Sequence, residues 1–376
     1  MGLPLVHQYP LDFTARDLAL VVISFSVCLG IVVLKSRFAW LRGRSGDLAA
    51  VQSMHTQLTS RLGGVGILVA LAASIFFAPD PIAVPYAKFI LAILPLFLVG
   101  LAEDIGFSMS PRRRLAAIIG SSLLAIFLLG VWLPRAGIPL LDLVISHWAV
   151  GIPVTVLITT GIANGFNLID GVNGLASFTA IVAALAISQI AGSANYPEMV
   201  CLALMLAAVL LGFFLVNFPF GLIFLGDAGA YTTGFVLSWF GIAVLVNAPD
   251  VSPWAILLTL FWPFADTVFA VFRRLRSNAG VASADRLHVH QMTMRALEIC
   301  VLGKKRRHIV NPLTTLVLAP FVMAPPVAGT LLWDQNLNAF WAVVVFSTCF
   351  FALVTAGPNV VRRLRRAGVS RTNVAS

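Results

Sequence analysis

Long apolar runs alternate with short segments rich in charged residues, proline and glycine along most of the chain. About 20 residues of α-helix cross the hydrocarbon core of a bilayer, whereas barrel strands are shorter and alternate between apolar and polar residues. The pattern therefore predicts an all-α, polytopic membrane helix bundle that forms one domain over residues 1–376. It places eleven spans at residues 17–35, 63–78, 86–102, 115–131, 147–163, 173–190, 199–217, 229–247, 253–272, 313–332 and 338–356.

Charge predicts the direction of the chain across the membrane. An odd number of spans puts the termini on opposite sides, and an outer N-terminus leaves only Arg16, Lys88 and Arg135 of the basic residues outside. Because lysine and arginine accumulate on the cytoplasmic side, we expect a periplasmic N-terminus and a cytoplasmic C-terminus. The net charge of +10 then reflects topology, and no nucleic-acid partner is expected. Residues 362–376 would form a basic cytoplasmic tail in contact with anionic membrane lipid.

Acidic residues are few, and they lie where apolar runs end. Glu103-Asp104, Asp170 and Asp227 all fall on the cytoplasmic side in this topology. A carboxylate within a membrane helix costs about 2.5–3.5 kcal/mol on insertion scales, so acids clustered at the rim indicate a site for cations or phosphate groups. Two adjacent carboxylates repel each other unless a cation or a shared proton relieves them, which suits Glu103 and Asp104 to base or metal chemistry. On its own, such a pair is also typical of a solvated surface loop.

A second polar pattern lies between the fifth and sixth predicted spans. If this stretch is helical, Asn164, Asn167 and Asp170 share one face and present two amides and a carboxylate to the same point. Oxygen donors of this kind suit Mg²⁺, which keeps several waters and bridges to substrate phosphates. The alternative is an asparagine and glycine turn that only connects two spans.

Three further loops carry glycine or basic side chains. Asp227 stands between two glycines, so the backbone can approach a phosphate while the carboxylate holds its metal. In the first inner loop, His55 precedes Arg61 and the pair Gly63-Gly64. That pair would either open a helix N-terminus toward an anion or allow tight packing of membrane helices. The last loop holds residues able to bind phosphate or orient a reacting oxygen, namely Arg286, His288 and His290.

Together these loops resemble the polyprenyl-phosphate N-acetylhexosamine-1-phosphate transferase superfamily, the membrane enzymes that start bacterial cell-wall and surface glycans. The resemblance runs in chain order through every predicted inner loop between residues 55 and 295. Within the superfamily, the segment from Asp285 to His290 is most similar to that of the N-acetylglucosamine-1-phosphate transferases. The matching motifs are His55 with Arg61-Leu62-Gly63-Gly64, Glu103-Asp104, Asn164 to Leu175, Gly226-Asp227-Ala228-Gly229, and Asp266 to Met292.

The resemblance implies transfer of a sugar phosphate, N-acetylglucosamine 1-phosphate by default, from a UDP-sugar to undecaprenyl phosphate with release of UMP. It implies an active site at the cytoplasmic face of the bacterial inner membrane and a product such as O-antigen. A homodimer is expected from analogy alone. The family metal is Mg²⁺ or Mn²⁺, held by the equivalents of Asn167 and Asp227, and Glu103 and Asp104 are the candidate catalytic acids. The implied substrate-binding residues are His55, Arg61, Asn164, Asp170, Arg286, His288 and His290.

Three positions depart from the usual pattern of that superfamily. The first acid of the pair is usually aspartate and here is Glu103, Ser60 stands where proline is usual, and the histidine run ends in Gln291. These changes bear on the role of Glu103 and on substrate preference more than on the reaction.

Two alternatives come from other classes of protein. A transporter or lipid flippase would bind a coupling ion through Asp170 and Asp227, and a membrane phosphatase would release inorganic phosphate. Transporter sites usually lie near the bilayer midplane, whereas these acids are predicted at one face.

Overall fold

The computed structural model describes residues 13–38, 41, 59–277, 288–303 and 306–372, the side chains of 274–277 and 358–372 excepted. In this part of the chain the regular elements are helices, and an isolated bridge joins Ser60 to Ile223. The predicted all-α fold is therefore confirmed. The α-helices are α1 (Ala15–Leu34), α2 (Gly63–Ser74), α3 (Ala83–Ile105), α4 (Pro111–Leu129), α5 (Pro139–Ile145), α6 (Trp148–Ile169), α7 (Leu175–Ser193), α8 (Pro197–Asn217), α9 (Gly226–Asn247), α10 (Pro253–Thr259), α11 (Phe261–Ser277), α12 (Val289–Leu297), α13 (Arg307–Leu331) and α14 (Asn336–Thr372).

Several of these helices can cross a membrane. Among the described residues, eight are long and apolar enough to do so, and a ninth crossing results if the bent pair α10 and α11 forms one span. Gly63–Phe77 is apolar but short, and α4 opens with three arginines that shorten its apolar part. The chain is therefore a multi-pass membrane protein. The count of eleven crossings and the sides of the two termini stay predictions.

One predicted span is broken in the structure. The sequence predicts a continuous helix over residues 253–272, whereas α10 and α11 meet at Leu260 with an angle of 86°. Pro263 explains the break, because proline has no backbone N–H and its ring collides with the carbonyl four residues earlier, at Thr259.

Helix α9 lies at the centre of the bundle. Of the apolar window in this helix 89% is buried, compared with 33% in α1 and 22% in α14. It packs against α2, α3, α6 and α7. Its aromatic side chains Phe235 and Trp239 lie 5.9 and 6.2 Å, between ring centroids, from Phe89 of α3. The first turn of α9 is therefore enclosed by neighbouring helices and their loops.

Six helix termini meet at one end of the bundle. Helices α3, α6 and α8 end there, and α4, α7 and α9 begin there after short loops. We call this the acidic end and define it as residues 103–114, 164–174 and 217–229. Most of the acidic residues that the sequence singles out lie on these segments, namely Glu103, Asp104, Asp170 and Asp227.

Candidate active site at the acidic end

Asp227 is an enclosed charge at the centre of the site. It is the second residue of α9, and its side chain is 5% exposed. Arg61 donates from Nη2 to Oδ1 at 2.7 Å, and Arg114 donates from Nη1 to Oδ2 at 2.8 Å. Both carboxylate oxygens are therefore held by guanidinium groups, an arrangement that requires two distant parts of the chain to meet.

Arg61 reaches Asp227 because a short extended segment joins two loops. Phe224 N–H donates to the Ser60 carbonyl at 2.8 Å, and Gly63 and Gly64 donate to the carbonyls of Phe224 and Leu225 at 2.9 and 3.0 Å. These bonds place residues 60–64 beside the start of α9.

The glycine pair Gly63-Gly64 serves packing in this structure. A Cβ added at Gly64 would collide with the backbone of Gly229, and one at Gly63 would lie 2.6 Å from the Phe224 carbonyl oxygen. Both amide N–H groups of the pair already bond to carbonyls. Of the two interpretations from the sequence, close packing is thus the one observed, and an anion-binding helix N-terminus at these two amides is not.

Asp104 holds the N-terminus of α9. Its Oδ1 accepts from the backbone N–H of Asp227 and its Oδ2 from that of Ala228, both at 2.9 Å. Arg61 Nε lies 3.3 Å from Oδ1. A carboxylate at this position satisfies two N–H groups that have no partner within the helix and interacts favourably with the helix dipole. Asp104 therefore positions Asp227 directly.

Glu103 points away from Asp104. Its Oε2 accepts from the backbone N–H of Met109 at 2.6 Å, which closes the loop between α3 and α4. At the end of this loop Ser110 caps α4 by accepting from Arg113 N, with Pro111 in the first turn. Adjacent residues of a helix project about 100° apart, so the two acids do not form the mutually repelling pair that the sequence suggested.

The helical face predicted between Asn164 and Asp170 is divided in the structure. Asn167 donates from Nδ2 to the Tyr231 hydroxyl at 2.9 Å, and the Asp170 carboxylate lies near the Gly226 backbone N–H. Both thus face the start of α9. Asn164 instead donates to the carbonyl of Thr160 on its own helix at 2.8 Å.

The asparagine and glycine turn proposed as an alternative also exists, immediately after Asp170. The Asn217 side chain bridges the two loops. Its Oδ1 accepts from the Gly174 N–H at 2.6 Å, and its Nδ2 donates to the Ile223 carbonyl at 2.7 Å. Asn173 Nδ2 donates to the Pro219 carbonyl at 2.8 Å. These bonds tie the loop between α6 and α7 to the loop that precedes α9.

The histidine segment joins this site through His290, and Asp266 holds the neighbouring His288. His288 Nδ1 lies 2.7 Å from Asp266 Oδ2, with both side chains buried, and the rings of His288 and His290 stack at 5.8 Å. His290 lies against Gly171, where any Cβ would collide with its Nε2. Burial lowers the pKa of His290 to about 4, so this ring is neutral near pH 7 and offers hydrogen bonds but no positive charge. His55 and Arg286 lie outside the described residues.

Two contributors to the site were not singled out by the sequence. Arg114 is one of three consecutive arginines, and nothing in the local pattern separates it from Arg112 and Arg113. Tyr231 follows Asp227 by four residues, so the helical repeat places both on one face of α9. The spacing of four residues could have identified Tyr231 from the sequence. Which of the three arginines contacts Asp227 depends on tertiary packing and could not be read from it.

The donors fit a magnesium ion that is held by few protein atoms. Among the described residues, no group of three or more histidine, cysteine, aspartate or glutamate side chains could hold a metal ion. Mg²⁺ at phosphate-handling sites uses one or two carboxylates and completes its shell with water and phosphate oxygens. Asp227 and the Asn167 side-chain oxygen match this description, because Asn167 uses its nitrogen to bond Tyr231.

Comparison with known proteins shows what the chain is similar to. Residues 86–245 match the model described as Glycosyl transferase family 4. A probable undecaprenyl-phosphate N-acetylglucosaminyl 1-phosphate transferase of Bacillus subtilis strain 168 is 26% identical over 254 residues, 66% of this chain and 69% of the relative. An undecaprenyl-phosphate alpha-N-acetylglucosaminyl 1-phosphate transferase of Thermotoga maritima is 29% identical over 245 residues, 65% and 70% of the two chains. A decaprenyl-phosphate N-acetylglucosaminephosphotransferase of Mycobacterium tuberculosis strain H37Rv is 25% identical over 328 residues, 78% of each.

The family model and the relatives thus make the chain similar to the polyprenyl-phosphate N-acetylhexosamine-1-phosphate transferase superfamily. The matched segment contains the acidic-end carboxylates, but it begins after Arg61 and ends before the histidine segment. The candidate site in the structure extends beyond both ends of the match, because Arg61 contacts Asp227 and His290 lies against Gly171.

Gly226→Ala is expected to damage this candidate site. Gly226 has a φ of +74°, and a Cβ there would collide with the Arg61 carbonyl and lie 2.6 Å from Asp104 Oδ2. We expect a loss of about 1–2 kcal/mol in the free energy of unfolding from the left-handed backbone, and loss of transfer activity because Arg61 and Asp104 must move. Thermal unfolding in detergent and initial rates measure the two effects.

Gly130→Ala is the matched control for that substitution. Gly130 has a φ of +69° at the opposite end of the bundle, and a Cβ there meets no atom of the described residues within 4 Å. We expect only the loss of about 1–2 kcal/mol that the left-handed backbone costs, without the added cost of the collisions at Gly226, and normal activity. Equal activity in the two variants would contradict the proposed crowding at Gly226.

Asp170 makes stability depend on pH. Burial raises its pKa from the ordinary 3.8 to about 7, the Asp227 carboxylate adds to this rise, and Arg61 and the Gly226 N–H oppose it. Between these two pKa values the folded protein holds a proton that the unfolded chain has released, so this group lowers stability as pH rises from about 4 to about 7. Asp170→Asn removes the titration and should therefore stabilise the protein more at about pH 8 than at about pH 5. An unfolding temperature difference that is equal at the two pH values would contradict this assignment.

Proposed function

We propose that this protein transfers N-acetylhexosamine 1-phosphate, with N-acetylglucosamine as the default sugar, from a UDP-sugar to undecaprenyl phosphate and releases UMP. The reaction would take place at the cytoplasmic face of the bacterial inner membrane and would start a cell-surface glycan such as O-antigen. The names of the relatives support polyprenyl phosphate and N-acetylglucosamine phosphate as the substrate classes. The UDP carrier, the glycan and the side of the membrane come from the sequence motifs and the predicted topology.

The observation that best supports this proposal is the ion-pair cluster at the first turn of α9. Arg61 and Arg114 converge on Asp227, and each arginine side chain is 26% exposed while Asp227 is 5% exposed. Guanidinium groups bind phosphate oxygens through two parallel N–H donors. A partly exposed arginine pair beside an enclosed carboxylate is thus suited to a diphosphate substrate.

Position within the bundle supports a transferase over a transporter. Asp104, Asp170 and Asp227 lie at helix termini and not in the middle of the helices, where ion-coupled transporters usually bind their ions. An acceptor with a long apolar chain would keep that chain among the membrane helices while its phosphate reaches the acidic end. The ionic chemistry would then remain at the aqueous rim.

The reaction we propose is a displacement at phosphorus. An oxygen of the lipid phosphate attacks the sugar-bearing phosphorus, a new P–O bond forms, and the bond from that phosphorus to the oxygen of UMP breaks. Arg61 and Arg114 would hold phosphate oxygens in line, and His288 and His290 would donate hydrogen bonds to the nucleotide sugar. Asn167 and Asp227 would hold Mg²⁺ or Mn²⁺, which when bound offsets the negative charge on the phosphates.

A strong general base is not needed in this scheme. A phosphate monoester has a second pKa near about 6, so the attacking oxygen is largely ionised at pH 7. Asp104 already accepts two backbone hydrogen bonds and Glu103 accepts one. We therefore assign Asp104 to positioning the first turn of α9, and Glu103 to the shape of the loop that carries Arg114.

Purified protein in detergent tests the proposal directly. Undecaprenyl phosphate, a panel of UDP-N-acetylhexosamines and Mg²⁺ or Mn²⁺ are supplied, and both UMP release and a lipid-linked sugar phosphate are scored, with EDTA as the control. Metal-dependent formation of both products from one donor supports the transferase. Release of inorganic phosphate without a lipid product would indicate a phosphatase. No reaction of the folded protein with any donor would reject the proposed reaction.

A further inference from the structure

The two oxygens of Asp227 are both in use in this structure. Arg61 and Arg114, which we call the arginine pair, lie 2.7 and 2.8 Å from Oδ1 and Oδ2. A magnesium or manganese ion bound to either oxygen would sit at about 2.0–2.2 Å from it. Each carboxylate oxygen has two lone pairs, so a guanidinium group and a divalent cation can bind one carboxylate, but their like charges repel each other and compete for its negative charge. Metal binding to Asp227 is therefore opposed while both arginines hold it and becomes easier when one of them leaves.

The two arginines differ in how firmly they are held. Arg61 also lies 3.3 Å from Asp104 through Nε, and its backbone belongs to the segment that bonds to Phe224 and Leu225. Arg114 lies in the first turn of α4, after the loop that Glu103 closes. Moving Arg61 would disturb the buried Asp104, whereas moving Arg114 breaks its ion pair with Asp227 and its electrostatic interactions with Tyr231 and Glu103.

We propose that Arg114 is a positioning residue that occupies Asp227 until an anionic phosphate draws it away, so that the divalent cation and the phosphate substrate bind cooperatively. This inference rests on the proposed function, in which Asp227 is a metal ligand. In the resting protein the arginine pair neutralises Asp227. When a phosphate group arrives, Arg114 moves to the phosphate oxygens and Asp227 accepts the metal. Each charge keeps a partner of opposite sign throughout.

The arrangement has a reciprocal thermodynamic consequence. If phosphate raises the affinity for metal by some factor, metal raises the affinity for phosphate by the same factor. Couplings between sites are commonly about 5–150-fold, and competition for the charge of one carboxylate should lie well within that range. Metal bound without substrate would accordingly be weak, which limits occupation of the site before both substrates are present.

Mn²⁺ binding to the full-length protein in detergent tests this inference. Electron paramagnetic resonance measures free Mn²⁺ without turnover. We expect Arg114→Gln to bind Mn²⁺ about tenfold more tightly than wild type in the absence of nucleotide. We expect UMP to tighten Mn²⁺ binding in wild type and to have little effect in Arg114→Gln, after correction for the Mn²⁺ that UMP binds in protein-free solution. Transfer by Arg114→Gln should be slower with a raised KM for the UDP-sugar, so metal affinity and activity move in opposite directions.

Arg112→Gln is the matched control, because it removes the same charge from the same turn of α4 and its side chain is exposed. A general field effect would strengthen Mn²⁺ binding equally in the two variants and would overturn the inference. So would unchanged or weaker binding in Arg114→Gln. Arg114→Lys keeps the positive charge but lacks the paired N–H donors of the guanidinium, and it should bind Mn²⁺ with an affinity between those of wild type and Arg114→Gln. If Arg114→Gln does not fold, Arg114→Lys provides the test in its place.

A second control separates this inference from the proposed function. Asp227→Asn should abolish Mn²⁺ binding at this site, with and without UMP. If wild type binds Mn²⁺ through Asp227 and Arg114→Gln leaves the affinity unchanged, only the inference on Arg114 is rejected. If no variant shows binding that depends on Asp227, the metal assignment is rejected and the inference with it.

Discussion

Asp227→Ala is expected to lower kcat for sugar-phosphate transfer by at least about 10²–10³-fold, the loss found when one preorganised electrostatic contact to a transition state is removed. The substitution removes the proposed metal ligand. It also leaves Arg61 and Arg114 facing each other without the carboxylate that now separates their charges. We therefore expect both arginines to move, and a loss of phosphate binding to accompany the loss of metal. Initial rates with saturating UDP-sugar and Mg²⁺ measure the first effect.

The control for Asp227→Ala is Asp80→Ala. Asp80 is an exposed aspartate at the start of the short helix Asp80–Ile82, away from the acidic end, and its removal changes the net charge by the same amount. Normal activity of Asp80→Ala with a folded but inactive Asp227→Ala would assign the loss to the site. Wild-type rates in Asp227→Ala would contradict the metal assignment and the function proposed for the first turn of α9.

The helical fold could be predicted because a membrane interior leaves few choices. Backbone N–H and C=O groups have no water to bond there, so apolar runs of sufficient length form helices. The bend at Leu260 was not predicted, although Pro263 within an apolar run was a visible signal. A proline in such a run either kinks a helix or is accommodated by its neighbours, and the outcome depends on packing. Pro95 lies inside α3 without ending it.

The candidate site was predictable in part. Helical spacing correctly placed Asn167 and Asp170 on a common side, because that relation depends only on the helical repeat. The contact of Arg114 with Asp227 spans 113 residues and depends on how α4 and α9 pack, so the three adjacent arginines gave no basis for a choice. The bridge between Ser60 and Ile223 was missed for the same reason, since an isolated pair of residues has no periodic pattern.

The adjacent acids are expected to respond differently to substitution, although the sequence presents them as equals. Asp104→Ala removes the acceptor of two backbone N–H groups, and a buried unsatisfied donor costs about 1–3 kcal/mol. We expect activity to fall at least about 10²-fold, because Asp227 loses the contact that directs it at the site. Asp104→Asn retains one acceptor oxygen and should be intermediate in stability. Thermal unfolding and initial rates, measured on the same preparation, separate the two effects.

Glu103 provides the matched comparison for Asp104. Glu103→Gln keeps an oxygen that accepts from Met109 N–H, and Glu103→Asp shortens the arm by one methylene and keeps the charge. We expect both variants to keep substantial activity, within about tenfold of wild type, because a single neutral hydrogen bond contributes about 1 kcal/mol. If Glu103→Gln is stable but inactive, the charge of Glu103 takes part in the chemistry. If Asp104→Ala is stable and active, the two N–H groups at the start of α9 do not need this carboxylate. The first result would contradict the role of Glu103 as a residue that only shapes the loop, and the second would contradict the role of Asp104 in positioning α9. Both roles are assigned from the backbone N–H groups that each carboxylate accepts from.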